Sequence, residues 1–205
     1  IAFQSTLKEG MVVYDIGANV GIFSLLSAKK VGAKGMVYAF EPEEINYQRL
    51  LLTQKYNNFQ NLKIESSCVG DKSGVEFFDH RGGAFSGRLV DADMINRNHH
   101  ISQKPTISID DYIFIKKNQP PHLIKIDVEG HELKVLQGMT ETMRQYHPIL
   151  FVELHPTLCD TIPKIFDLLS SEGYACYDLN RFVLNQLSLL NKDLFCKANY
   201  VVVKK

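Results

Sequence analysis

The chain has no excess of charge of either sign, no cysteine pair at metal-binding spacing and no apolar run approaching a membrane span. Twenty-three Lys and Arg residues balance twenty-three Asp and Glu, so no net field draws the molecule to nucleic acid or anionic lipid. The pairs Lys29-Lys30, Lys116-Lys117 and Lys204-Lys205 are short and read as solvated surface. Cys68, Cys159, Cys176 and Cys196 lie far apart and form no C-x-x-C. That argues against a zinc site or a disulfide framework, and for a reducing, cytoplasmic setting. Nothing resembling a signal peptide opens the sequence. The first residue is Ile1 rather than Met, which suggests a piece of a longer protein.

What remains is an ordinary globular composition, 45% hydrophobic and 22% charged. A length of 205 residues fits one domain over 1–205, and folding at that size buries roughly 70% of the unfolded surface. Strand and helix patterns alternate. Met11 to Ile16 reads as a buried strand, Ile22 to Val31 as a helix, and Met36 to Pro42 as a second strand. Glu43 to Tyr56 follows as a helix and Leu62 to Gly70 as a third strand. Between Asp71 and Lys104 the sequence turns polar and glycine-rich, with short strand patterns only at Gly74 to Phe78 and Thr106 to Ile109. This predicts a long exposed excursion over 71–105. Strands are expected again at His122 to Asp127, Pro148 to Pro156, Tyr174 to Leu179 and Asn199 to Lys205. The helices between them are expected at His131 to Tyr146 and Ile162 to Ser171. The order predicts an open, doubly wound α/β sheet with its chemistry at the carboxyl ends of the strands.

The first strand ends in Asp15-Ile16-Gly17-Ala18-Asn19-Val20-Gly21. A dinucleotide fingerprint would read G-x-G-x-x-G, its glycines admitting a pyrophosphate to the helix N-terminus. Here the pattern is G-x-N-x-G with an aspartate two places earlier. That carboxylate would repel a pyrophosphate and suits a ligand carrying a cation. A plain strand-to-helix turn needing glycines for steric reasons is the alternative. The second strand ends in Glu41, placed to accept hydrogen bonds from ribose hydroxyls, although Glu41-Pro42 also has the look of a helix-capping device. A nucleoside with a cation and no phosphate cradle describes S-adenosylmethionine (SAM).

Together "VVYDIGANVGIFS", "VYAFEPEEINYQRL", "TISIDDY" and "LIKIDVEGHELKVLQG" resemble the FkbM family of SAM-dependent methyltransferases, from about Gly10 to about His155. The resemblance implies a seven-stranded Rossmann-like sheet, mostly parallel, with an antiparallel strand near the C-terminus. It also implies methyl transfer to a hydroxyl of a sugar, lipid-like or other small-molecule acceptor. Carried over, Asp15, Gly17, Asn19 and Gly21 cradle the methionine part of SAM and Glu41 its ribose. The turn at Cys68, Val69 and Gly70 lies near adenine through backbone groups, with Cys68 packed rather than reactive.

The ends of the fourth and fifth strands bear on the reaction. "KIDVEGHE" carries Asp127, Glu129 and His131, and "FVELHP" carries Glu153 and His155. Methyl transfer from a sulfonium is an in-line displacement, so alignment is the main task, and a protonated alcohol needs a base. Asp127 is expected to border the sulfonium and the acceptor, with His131 or Glu129 taking the proton. Helix-dipole partners and turn residues are the plainer uses of the same side chains. A divalent metal is a competing use, but no H-x-x-x-H spacing accompanies it. The stretch from Arg81 to His100 has the composition of a polar lid or of a solvated loop. The rival functions are a nicotinamide-dependent oxidoreductase, opposed by Asp15 and the missing third glycine, and a non-catalytic SAM-binding module that recruits a partner, opposed by the ionisable cluster.

Overall fold

A computed structural model describes residues 2–80, 88–90, 100–154, 160–179, 190, 193 and 200–204. The chain begins with α1 (Ala2–Thr6), β1 (Val12–Ile16), α2 (Ile22–Val31), β2 (Met36–Phe40), α3 (Glu44–Asn57) and β3 (Leu62–Glu65). Four further strands follow: β4 (Cys68–Val69), β5 (Gly74–Asp79), β6 (Arg88–Val90) and β7 (Ile101–Ile107). After a π-helical turn at Asp111–Ile115 come β8 (Leu123–Ile126), α4 (Glu132–Gln137), α5 (Thr140–Tyr146) and β9 (Ile149–Glu153). The last elements are α6 (Ile162–Ser171), β10 (Ala175–Asp178) and β11 (Tyr200–Lys204).

Seven strands form one sheet in the order β10-β11-β9-β8-β1-β2-β3. All run parallel except β11, which is antiparallel to both neighbours. This is the seven-stranded, mostly parallel α/β sheet that the sequence predicts. The two middle strands, β1 and β8, are buried along their whole length, as parallel strands covered on both faces must be.

Side chains alternate between two cores. Tyr14, Ile16, Tyr38, Phe40, Ile124 and Ile126 face one side, and Val13, Val37, Ala39 and Leu123 face the other. The first side is dominated by aromatic edges, with Tyr112 from the π-helical turn meeting Phe40 at 5.0 Å and 74°. Edge-to-face pairs of this kind add about 0.5–1.5 kcal/mol beyond area burial. Asp15 and Lys125 share the second side with Val13 and Leu123, and lie directly opposite each other in the β1–β8 register. The only two charged groups of these strands are therefore cross-strand neighbours.

Three expectations need correction. The predicted third strand over Leu62 to Gly70 is two strands: β3 stops at Glu65, and Cys68–Val69 pairs in parallel with β7. Since β3 is the edge of the large sheet, no outer neighbour continues its ladder, and the chain crosses to another. The predicted helix from His131 to Tyr146 breaks at Gly138 and Met139. The Asp110 N–H donates to the Gly138 carbonyl at 2.9 Å, and the Asp110 carboxylate accepts from the N–H groups of Glu141 and Thr142. A distant residue thus starts the second helix. The third concerns the polar excursion, whose described part is a four-stranded sheet ordered β4-β7-β5-β6, with β5 and β7 antiparallel from Gly74↔Thr106 to Asp79↔Ile101. Strand β7 is accordingly Ile101–Ile107 rather than Thr106 to Ile109. The stretches 81–87 and 91–99, most of the predicted lid, lie outside the described residues.

The second sheet meets the helical layer where Gly138, between α4 and α5, packs on Gly70: a Cβ added at Gly138 would stand 2.0 Å from the Gly70 carbonyl oxygen. Gly138→Ala is expected to destabilise the protein by about 1–3 kcal/mol through this overpacking. At about 2–4 °C per kcal/mol for a chain of this size, calorimetry should register a melting point several degrees lower.

Candidate cofactor and active site

The β1–α2 turn is held by neighbouring strand ends. The N–H groups of Gly17 and Ala18 donate to the Phe40 carbonyl at 3.1 and 3.0 Å, and that of Asp127 donates to the Ile16 carbonyl at 3.1 Å. Gly17 has φ +76, and a Cβ there would fall 1.8 Å from the Asp127 carbonyl oxygen, so only glycine fits. Asn19 is left-handed as well, at φ 51, a conformation Asn tolerates better than other side-chain-bearing residues. Its Oδ1 accepts from the Val20 N–H at 2.7 Å. Gly21, at φ 88, leads into α2.

Asp15 is completely buried, with its Oδ2 accepting from the Ser24 hydroxyl at 2.5 Å. Its Oδ1 makes no hydrogen bond and faces the Lys125 ammonium at 3.5 Å. That ammonium donates to the Gly17 carbonyl at 2.8 Å, lies 3.2 Å from Asp127 Oδ2, and sits 5.4 Å from the centre of the Phe23 ring. Burial alone would push Lys125 down; Asp15 and Asp127 overcome it and hold the group above the usual lysine range. The cation that Asp15 meets is thus internal, and Asp127 is the member of the pair with exposed surface.

Glu41 stands beyond β2, almost wholly buried. Its Oε2 accepts from the Asn19 N–H at 2.7 Å and its Oε1 from the Glu43 N–H at 2.8 Å. Burial pushes its carboxyl up to about 7, with the Glu43 and Asp15 charges adding and the two N–H donors opposing. A carboxylate has about four acceptor sites, so two remain, one on each oxygen. Glu43 in turn bonds His80 from the end of β5 at 2.5 Å, and His80 bonds Ser102 of β7 at 2.6 Å.

The other predicted residues are placed as follows. Glu129 is half-buried and left-handed at φ 52, in the turn between β8 and α4. His131 is the half-buried residue at the N-cap of α4. Glu132, one place on, is buried and accepts from the Gly130 N–H at 3.0 Å. Glu153 ends β9, half-buried. His155 lies outside the described residues. Cys68 and Val69 turn their side chains into the cores, and the Gly70 N–H donates to the Ile107 carbonyl. Burial pushes the Cys68 thiol up to about 12, far from a reactive thiolate. Among the described residues no three His, Cys, Asp or Glu side chains gather as a metal-binding group, and no helix is long and apolar enough to cross a membrane.

Hydrogen bonds and ion pairs therefore join Asp15, Gly17, Asn19, Glu41 and Asp127 into one cluster. Sequence reasoning missed Lys125, Glu43, His80 and Ser102. The signal for Lys125 was available: a lone cation inside the apolar strand "HLIKID" has to be paired if that strand is central. Removing one member of a buried ion pair costs about 3–5 kcal/mol because the other charge is stranded. Lys125→Met, similar in volume, is expected to lose about 3 kcal/mol or more in urea unfolding, without any change in overall secondary structure by circular dichroism.

Residues 15–176 match the methyltransferase FkbM domain family. The hexuronic acid methyltransferase AglP of Haloferax volcanii is 30% identical over 158 residues, 72% of this chain and 57% of AglP. The methyltransferase sdnD of Sordaria araneosa is 27% identical over 177 residues, 67% of this chain and 63% of sdnD. The chain thus spans a little over half the length of AglP. The crystal structure of an FkbM methyltransferase from Methylobacillus flagellatus superposes with a TM-score of 0.61 at 18% identity, over 95% of this chain and 43% of that one. Fibrillarin of Aeropyrum pernix, solved with natively bound SAM, gives 0.53 at 11% identity, over 97% of this chain and 67% of its own. At such identities the solved structures speak for the fold, while the match over residues 15–176 speaks for ancestry: this chain belongs to the FkbM family of SAM-dependent methyltransferases.

Proposed function

We propose that this chain transfers a methyl group to a hydroxyl of a sugar, with hexuronic acids as the first acceptor class to test. The observation that carries the reading is the acidic frame of the β1–α2 turn, with Glu41 on one flank and Asp127 on the other. Such a frame fits a sulfonium nucleoside: the two open acceptor sites of Glu41 match the two ribose hydroxyls, and Asp127 supplies negative charge toward a cation. No comparable frame would accept a pyrophosphate. The turn backbone at Gly17, Asn19 and Gly21 would hold the methionine part. Bound there, SAM supplies an electrophilic methyl group.

The protein's own part is alignment and proton removal. Asp127, tied to Lys125, stands at the exposed edge of the turn and borders the acceptor. Glu129 is the favoured base, because its left-handed backbone is the kind of local strain that gathers at functional sites. His131, two residues on, is the other group in reach of the same turn. The likeness to AglP, whose name states a hexuronic acid as its acceptor, supports the acceptor class.

The direct test incubates the protein with SAM and glucuronic acid or glucose and follows S-adenosylhomocysteine and methylated product by mass spectrometry. An alkali-stable methyl ether is expected. An alkali-labile methyl ester would overturn the hydroxyl assignment, and no product from any sugar would overturn the acceptor class. Glu129→Gln should lower the rate by about 10²–10⁴, the usual worth of a general base, while leaving SAM affinity unchanged.

Glu41 predicts a pH dependence in two directions. Its folded pKa lies above the ordinary carboxylate value, so folding takes up a proton, and ligand-free stability should fall as pH rises from about 4.5 toward 7. Ribose hydroxyls need the ionised form. At pH 6 a group with a pKa of about 7 is roughly one-tenth ionised, and one unit is tenfold. Calorimetric Kd values for S-adenosylhomocysteine should therefore tighten about tenfold from pH 6 to 8 and then level, and Glu41→Gln should flatten the profile.

A further inference from the structure

Glu43, His80 and Ser102 form a chain of carboxylate, imidazole and hydroxyl that joins the second sheet to the ribose carboxylate. Glu43 is buried, immediately before α3, and its N–H is one of the two donors on Glu41. Glu43 Oε2 lies 2.5 Å from His80 Nδ1, and His80 Nε2 lies 2.6 Å from Ser102 Oγ. A carboxylate only accepts, so Nδ1 donates to it; in the neutral ring Nε2 then accepts from Ser102. The imidazole is held in place by its surroundings. The His80 N–H donates to the His100 carbonyl at 2.8 Å, continuing the β5–β7 ladder, and the ring meets Phe78 edge-on at 5.0 Å.

The Glu43 N–H donates to Glu41, and the hydrogen bond from His80 fixes the Glu43 side chain, so the backbone at Glu43 stays aimed at Glu41 and the Glu41 oxygens keep their orientation. We propose that Glu43, His80 and Ser102 are positioning residues of an adenosine subsite, through which the second sheet closes the nucleoside end of the cofactor pocket. This rests on the SAM-binding reading above, and it assigns to β5 and β7 a role in ligand binding rather than in packing alone.

The test compares Kd values for S-adenosylhomocysteine and 5′-methylthioadenosine, which share the adenosine and differ in the amino-acid part. His80→Ala should weaken both ligands by about tenfold and to an equal extent. His80→Asn, whose amide can still donate to Glu43, should recover most of that loss, and Ser102→Ala should weaken both by about threefold. Melting of the ligand-free variants is read alongside, because a packing role would lower stability while leaving the ligand-bound constants alone. Wild-type Kd values in all three variants would overturn the proposal, as would a loss confined to S-adenosylhomocysteine. Wild-type protein that binds neither ligand would instead overturn the cofactor reading on which the proposal stands.

Discussion

The ammonium of Lys125 is the contact on which the rest of the turn depends. Asp15 ends the central strand with no exposure at all, and a carboxylate there is tolerable only with a cation beside it. Lys125, its register partner on β8, supplies that cation. The same group ties the Gly17 carbonyl and Asp127, so the shape of the turn and the position of its exposed carboxylate follow from one buried charge. Of the two aspartates that Lys125 touches, Asp15 is fully buried and Asp127 keeps part of its surface exposed.

Where the sequence was legible, the cause was local. α2 and α6 have the bounds that periodicity, glycine and proline predict, Ile22–Val31 and Ile162–Ser171. Strand β1 is one residue shorter than expected at its start. The failures have long-range causes. No pattern within "LKIESSCVG" says that Cys68 will pair with Thr106. None within "HELKVLQGMTETMRQY" says that Asp110 will cap the second half of it. In the site, the glycines and acids of "DIGANVG" and "EP" were readable because turn chemistry is written in adjacent residues. His80 was not, since its partner Glu43 stands 37 positions away and its own neighbourhood is a polar stretch without periodicity.

The second sheet changes what the insertion between β3 and β8 means. A polar excursion of this length would ordinarily be solvated or mobile, yet its described part is a ladder of six consecutive register pairs between β5 and β7. That ladder is anchored at both ends. Near Gly74 and Thr106 it lies against the contact of Gly70 with Gly138 of the α4–α5 junction, and at Asp79 and Ile101 it delivers His80 to Glu43. Anchoring at two ends ties the ladder to the rest of the molecule, and its far end stands beside Glu43, whose N–H donates to Glu41.

The distribution of burial divides the ionisable groups at the strand ends into two sets. Asp15, Lys125, Glu41 and Glu43 are buried and mutually bonded, whereas Asp127, Glu129, His131 and Glu153 are half-buried at strand and helix ends. In-line displacement demands that one reactant be held rigidly and the other be admitted. Rigid holding needs groups whose rotamers are fixed by burial and by one another, and admission needs groups that open to solvent. The buried set around the β1–α2 turn has the first property, and the half-buried groups at the ends of β8 and β9 have the second. Under the proposed function such a fold can keep one donor site and change its acceptor, because the groups that would have to vary are not those that hold the sheet together.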